Sequence, residues 1–428
     1  MDHISNLPDA IISYILSFLS TKSAVKTCIL SKRWQYVWTK VPALDITEMP
    51  HSRRYLSDEQ QIHFKNFVNK VLLQNDVSCL QCFTLRTYSE YDYDCIESWL
   101  RAVEGREFCE LNVKLHCPRT FYLPRQFLSG QKLVVLKLEG FMISNMGHSF
   151  HLPNLEIIHL VSVLFDGDLF LKSLVLDCTA LKELLIDGCY GFEETLYVES
   201  STLESLEIKE CMIKECAIDR SNYVLPFIRI QTPNLRYLSL QDALANYNIG
   251  ELKLLTEANL DLWDSEGYDE IEHLALQLIE KISGLYLSKF QLELLNSLQV
   301  VCCFEDAIPN FENLIELKLA ADFVIHELLE STPKLKSLII EEVDCVGESF
   351  YSKVAPGCMS CLENVEIVLD KRHHIRLAEY ILKVSTALKK MTIYLHPTTI
   401  KRGRAVYQSL LNLPRSSPIC QVKVVHLD

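Results

Sequence analysis

Glycine and proline are both scarce in this chain of 428 residues, at 13 and 14, which argues against flexible linkers and low-complexity tracts. The opening MDHISNLPDA has neither the basic start nor the apolar core of a secretory signal, and no uncharged apolar run approaches the length that spans a bilayer. A soluble protein of the cytoplasm or nucleus, with no membrane contact, is expected. Asn-x-Ser/Thr acceptors are absent as well. The 16 cysteines are therefore expected to be reduced thiols rather than a disulfide framework. Also missing are G-x-S-x-G, the phosphate-cradling G-x-x-x-x-G-K-S/T, G-x-G-x-x-G and H-E-x-x-H. Nothing points to catalysis, and no cofactor is expected.

What is present is the composition of a folded protein, 49% hydrophobic and 23% charged. The net charge of -14 is unevenly spread. Residues 1–60 carry 7 basic and 6 acidic side chains and residues 371–428 carry 11 and 2, so the acidic excess lies wholly between them. Phosphate contacts need a basic face, so nucleic acid is not an expected partner. An acidic body is either simply solvated or steers basic partners.

The stretch LPDAIISYILSFLSTKSAVKTCILSKRWQYVW, from Leu7 to Trp38, reads as three short helices. Pro8 suits a first turn, and Asp9 complements the positive helix end. Ile11, Ile15 and Leu19 recur at i, i+4, i+8, with Ile12 and Leu16 on the adjoining stripe. Ser20 or Thr21 can cap a second helix, and Ser31 a third that carries Trp34 and Trp38. A bundle of roughly 35 residues is too small to bury so much apolar surface alone. The surplus either docks on the rest of the chain or meets a partner, and periodicity leaves both open.

Those same residues resemble an F-box. Leu7-Pro8-Asp9, Ile15-Leu16, Phe18-Leu19, Val25 and Leu30-Ser31-Lys32-Arg33-Trp34 with Trp38 fall where that module has them, while Ala10 replaces a frequent acidic residue. The resemblance implies docking on a Skp-type adaptor and, through it, on a cullin. It also implies adaptor-facing roles for Leu7, Pro8, Ile12, Ile15, Leu16 and Leu19, with Trp34 and Trp38 holding the bundle together.

Beyond residue 75 an L-x-x-L-x-L pattern recurs. Clear copies begin at Leu133, Leu155, Leu181, Leu203, Leu235, Leu314, Leu335, Leu362 and Leu388, and weaker ones at Leu80, Phe108, Leu255 and Ile282. From Leu133 to Leu388 the steps are 20 to 32 residues, close to the period of about 20–29 of a leucine-rich repeat. Each core predicts a short strand with leucines inward. LKSLVL at Leu171 lies too near the next copy and is assigned to an outer helix. The outward positions give candidate target-binding residues Lys137, His159, Glu183, Asp187, Glu207, Tyr237, Glu316 and Lys318, with Ser205, Ser239, Ser337, Glu341, Asn364 and Lys390 beside them. They form neither a base-reading code nor an aromatic row, which favours an unknown target protein over RNA.

Residues 47–78 predict a helical bridge, with Phe64, Phe67, Val68, Val71 and Leu72 at helical spacing. Cys189 and Cys211 fall eight residues after the first leucine of their repeats, a buried position. Two Cys-x-x-Cys pairs, Cys79/Cys82 and Cys358/Cys361, lie too far apart in sequence for an ordinary zinc site, so no metal is expected. Cys302-Cys303 reads as packing, and His373-His374 beside Lys371-Arg372 as a solvated basic turn.

Residues 356–428 resemble the FBD domain of plant proteins, through Pro356, Cys361-Leu362, Ala378 to Leu395 and Leu410 to Val424, with Arg376 in a region that is often acidic. Together these resemblances identify an α/β chain of the plant F-box/FBD/LRR family. The implied order is a three-helix F-box (1–46), a helical bridge (47–78), an irregular leucine-rich-repeat solenoid (79–355) and an α/β FBD cap (356–428). Three functions stay open: a substrate-recognition subunit of an SCF-type cullin-RING ubiquitin ligase, a non-ligase scaffold, and a small-molecule sensor.

Overall fold

The computed structural model describes residues 4, 6–48, 56–116, 121–143, 150–165, 169–192, 195–213, 227–243, 245–263, 272–283, 285, 287–295, 309–320, 325–341, 359–369, 374–395, 411 and 413–426. The chain divides into two compact units, Met1–Leu203 with Cys211–Arg229, and Glu204–Glu210 with Ile230–Asp428.

In the first unit, helix α1 (Asp9–Leu16) follows Pro8, whose fixed φ of -58° prepares the turn, and α2 (Thr21–Lys26) follows Ser20. The third helix expected from Ser31 is not α-helical. Two 3-10 segments, Thr27–Ile29 and Trp34–Lys40, take its place. Trp34, Val37 and Trp38 are nonetheless buried, because spacings of three and four residues keep them on one side of the tighter turn.

Strand β1 (Ala43–Thr47) pairs parallel with β2 (Cys79–Arg86), and β2 with β3 (Glu107–Lys114). The ladder continues in parallel through Val135–Glu139, Ile157–Val161 and Glu183–Asp187. Two inward rows cross it: Leu44, Phe83, Leu111, Leu136, Ile158, Leu184, and Ile46, Leu85, Val113, Leu138, Leu160, Ile186. Every one of these side chains is buried. The bridging helix is present as α3 (Asp58–Gln74), opened by a Ser57/Gln60 capping box and burying Val68, Val71 and Leu72. Helix α4 (Tyr93–Val103) meets it where Trp99 Nε1 donates to Asn69 Oδ1 at 2.7 Å. A second parallel sheet of this unit runs through Met212–Ile213, Tyr190–Phe192, Leu164–Phe165, Phe141–Ile143 and Phe121–Tyr122. Phe165 and Phe192 pack there with ring centroids 4.9 Å apart.

The second unit repeats the arrangement over nine parallel strands, from Ser205–Lys209 to Gln421–His426. Its inward rows include Leu206, Leu238, Ala258, Phe290, Leu317, Leu338, Val365 and Met391. All eight are buried, and each Leu, Phe or Val so placed contributes about 1.5–3 kcal/mol relative to exposure. One expected repeat is displaced. Ile282 lies in helix Glu272–Ser283, and the strand is Lys289–Leu295, so this repeat core starts at Leu287. LKSLVL at Leu171 is helical as expected, within Leu169–Asp177. In the FBD-like region, strand Asn364–Leu369 is followed by helix His374–Val384 and strands Lys390–Leu395 and Gln421–His426.

Four ladder strands are each followed by a residue of positive φ: Gly140 (80°), Ser162 (50°), Gly188 (58°) and Glu210 (46°). The amides of Gly140, Ser162 and Glu210 donate to Val161 O, Asp187 O and Gln241 O, extending the ladder by one bond before the chain turns. At Gly140 a Cβ would lie 2.3 Å from Leu115 O. Ser162 and Glu210 carry the left-handed cost of about 1–2 kcal/mol that glycine avoids, offset in part by glycine's freer unfolded chain. Ser162→Gly and Glu210→Gly are each expected to stabilise by about 0.5–1 kcal/mol, read as a raised thermal midpoint. An unchanged or lower midpoint counts against this account of the turns.

Candidate functional site: an apolar helix face and a polar strand face

The Leu-Pro-Asp start and the later arginine form one device. Arg33 Nη2 and Nε donate to Asp9 Oδ1 at 2.8 and 3.1 Å, and Nη2 also donates to Leu7 O. Ser13 Oγ donates to Val37 O at 3.3 Å, tying α1 to the 3-10 segment. The first strand anchors α2, since Asp45 N donates to Thr21 Oγ1 at 2.8 Å.

With the unit so closed, the two apolar stripes of α1 separate. Ile12 and Leu16, expected to face an adaptor, are 0% and 2% exposed and belong to the unit's own core. This corrects the sequence assignment, and the cause is helical phase: both lie on the side where Ser13 meets Val37. Ile15 and Leu19 are 43% and 42% exposed. Pro8 is exposed and Leu7 half-buried at their edge. Sequence reasoning left three neighbours out of its set: Ile11, Tyr14 and Phe18, the last 73% exposed with its ring edge-on to Tyr14 at 5.1 Å. Ile29, Leu30 and Tyr36 are exposed as well. The amphipathic stripe through Ile11, Ile15 and Leu19 was the available signal for Ile11.

The strand candidates all point outward, as the alternation requires; most are half-buried, while Ser239 is buried and Asn364 and Lys390 are exposed. In the first unit Lys137 stands in register with His159. His159 Nε2 is 2.6 Å from Glu183 Oε1, and Asp187 lies at the end of the Glu183 strand. In the second unit Tyr237, Glu257, Lys289 and Glu316 form one outward row, continued by Ser337, Asn364 and Lys390. Ser205 begins that row. Glu207, Ser239, Asn259, Gln291 and Lys318 form the next. Lys318 pairs with Glu341 at 2.9 Å and Glu207 with Lys209 at 2.7 Å. Such half-exposed pairs stabilise little, so they fix side-chain direction more than they hold the fold.

Three family models match this chain. The F-box domain matches residues 4–44, the leucine-rich repeats of an FBD-associated F-box protein (At5g56370) match 96–246, and the FBD matches 352–393. Similarity to whole proteins runs the full length. An F-box/FBD/LRR-repeat protein of Arabidopsis thaliana (At5g22610) is 29% identical, over 99% of this chain and 89% of its own. A second from that plant (At2g26030) is 27% identical over 99% of both chains, and a third (At1g78750) is 28% identical over 99% and 96%. Over nearly its whole length the chain is thus similar to F-box/FBD/LRR-repeat proteins of this plant.

The F-box match ends inside β1, so the matched region passes directly into the strand ladder. The leucine-rich-repeat match ends at 246, yet the same inward rows continue through Glu257–Trp263 to Ser337–Ile340. Cys189 and Cys211 sit in the core of this ladder and donate to Leu160 O and Ile186 O. Burial pushes the Cys189 thiol up to about 12, which leaves it unreactive. Cys79 and Cys82 are half-buried, with Lys132 Nζ donating to Cys79 Sγ at 3.7 Å. Cys302, Cys303, Cys358, Lys371, Arg372 and His373 lie outside the described residues, and His374 opens a helix.

Behind the F-box, Glu48 is buried and accepts from Tyr88 N, Ser89 N and Tyr91 OH. Burial beside this carboxylate pushes the Tyr91 phenol well up. The cluster is an internal clamp on the end of β1 rather than a reactive pair, since all three donors are spent on holding it.

Sequence reasoning also missed Asn259 and Asp261, because their repeat copy is weak: Ala258 stands where the pattern has leucine. Burial alone raises the Asp261 carboxyl above its ordinary 3.8. The sign follows from linkage. The folded chain holds this proton to higher pH than the unfolded chain, so the ionisation penalty is absent below about pH 3.8 and full above the raised value. Asp261→Asn is therefore expected to raise the thermal midpoint at pH 7 and to lose that advantage near pH 3.5. A gain equal at both pH values would contradict this.

Proposed function

We propose that this chain is the non-catalytic substrate-recognition subunit of an SCF-type cullin-RING ubiquitin ligase. Ile11, Tyr14, Ile15, Phe18 and Leu19 dock the Skp-type adaptor, with Leu7 and Pro8 at the rim, and the adaptor joins the chain to a cullin. The observation that carries the reading is the exposure of those five side chains after Ile12, Leu16, Trp34, Val37 and Trp38 have closed the core. An apolar patch spaced at i, i+3 and i+4 suits a helix seated in a partner's groove.

The outward strand positions take the target protein. Their rows of polar side chains, steadied by neighbouring charges, offer recognition by hydrogen bonds and ion pairs. The chain then acts by proximity, holding a target beside the ubiquitin-charged enzyme and leaving the chemistry to others. Co-expression with a plant Skp-type adaptor tests the docking half: a complex that co-elutes in gel filtration is expected, and separate elution of two folded proteins overturns it.

A further inference from the structure

In strand Glu257–Trp263, Ala258, Leu260 and Leu262 are buried inward and Glu257, Asn259 and Asp261 point outward. Two oxygens on that outward side, Asn259 Oδ1 and Asp261 Oδ1, are shielded from solvent and have no donor among the described residues. The amide is held with its oxygen free. Asn259 Nδ2 donates at 3.2 Å to Ser239 Oγ, on a residue only 1% exposed and directly in register with it.

Asp261 has no neutralising neighbour in register, since Gln241 and Glu293 flank it. Three other acids of this face are each paired with a lysine. Glu257 pairs with Lys289 at 3.7 Å, Glu207 with Lys209 at 2.7 Å and Glu341 with Lys318 at 2.9 Å. A desolvated carboxylate beside a second unmet acceptor destabilises the free chain and becomes favourable once a donor arrives. Both acceptors lie on one face two residues apart, about 6.6 Å along the strand. A guanidinium spreads its donors on a rigid planar fork and can serve two such oxygens, whereas an ammonium is a compact point charge suited to one.

We propose that Asn259 and Asp261 form an arginine-binding site for the target protein, with Asp261 Oδ1 and Asn259 Oδ1 accepting from one guanidinium. This rests on the strand face being the target surface and names the side chain read there.

The test uses the full chain held in its adaptor complex and a displayed library of random dodecapeptides. Selection on the wild type is expected to enrich arginine over lysine by about 10-fold or more at one peptide position. Asp261→Asn should abolish that preference, while Glu257→Gln, which alters an acid already paired, should keep it. The inference is overturned by no arginine preference on the wild type, by equal enrichment of lysine, or by a preference that survives Asp261→Asn. An unlowered thermal midpoint in Asp261→Asn separates loss of the site from loss of the fold. Adaptor retention is scored separately in every variant, so failure of the F-box reading and failure of the arginine site are told apart.

Discussion

Replacing Ile15 and Phe18 together by aspartate is expected to lower affinity for a Skp-type adaptor by about 100-fold or more, because apolar anchors at the centre of an interface carry most of its energy. The same change should leave the thermal midpoint within about 2 °C, since substitutions of exposed residues seldom alter stability by more than about 0.5 kcal/mol. Phe18 is 73% exposed and touches Tyr14 edge-on, so the free chain loses little by giving it up. Binding titrations and melting curves on the same preparations separate the two effects. A double variant that binds like the wild type removes α1 from the interface.

Replacing Ile12 by alanine is expected to do the opposite. A fully buried Ile truncated to Ala costs about 2–5 kcal/mol, the lost transfer energy plus the cavity left behind. That is a large share of the stability of so small a helical unit. Hydrogen exchange should quicken in α1 and in the Trp34–Lys40 segment while the strand ladder of the second unit keeps its protection. Protection unchanged in α1 would mean that Ile12 is not the core residue its burial indicates. The pair of experiments sorts one helix into a face that folds and a face that binds.

That sorting marks the limit of the sequence. Periodicity put Ile11, Ile15 and Leu19 on one stripe of α1 and Ile12 and Leu16 on the next, but both stripes are equally apolar. Only the position of Ser13 against Val37 O fixes which of them is inside. The choice between self-docking and partner-docking was therefore a false one, as Ile12 and Leu16 close the unit and Ile15 and Phe18 stay open.

The strand ladder was far more legible. A leucine-rich core written as a period of two within a longer repeat leaves few alternatives, and each of the nine clear copies became a strand. The miss at Ile282 has a specific cause. Leu274, Leu278, Ile279 and Ile282 are buried at helical spacing, so the helix overran a segment that also matched the strand template. Asn259 and Asp261 escaped notice because Ala258 weakened their repeat, and Phe290 stands beside it in the next strand to fill the row. Unmet acceptors are a property of packing and leave no trace in a one-dimensional pattern.

On the function proposed, one chain joins a cullin complex to a target. Affinity purification of the tagged full chain from plant extract, with the wild type beside the Ile15→Asp/Phe18→Asp variant, tests it most directly. Adaptor and cullin are expected to come down with the wild type and to be lost from the variant, while the variant retains and accumulates bound proteins that the wild type turns over. Recovery of the same bound proteins, at equal abundance and without cullin in either case, would contradict it.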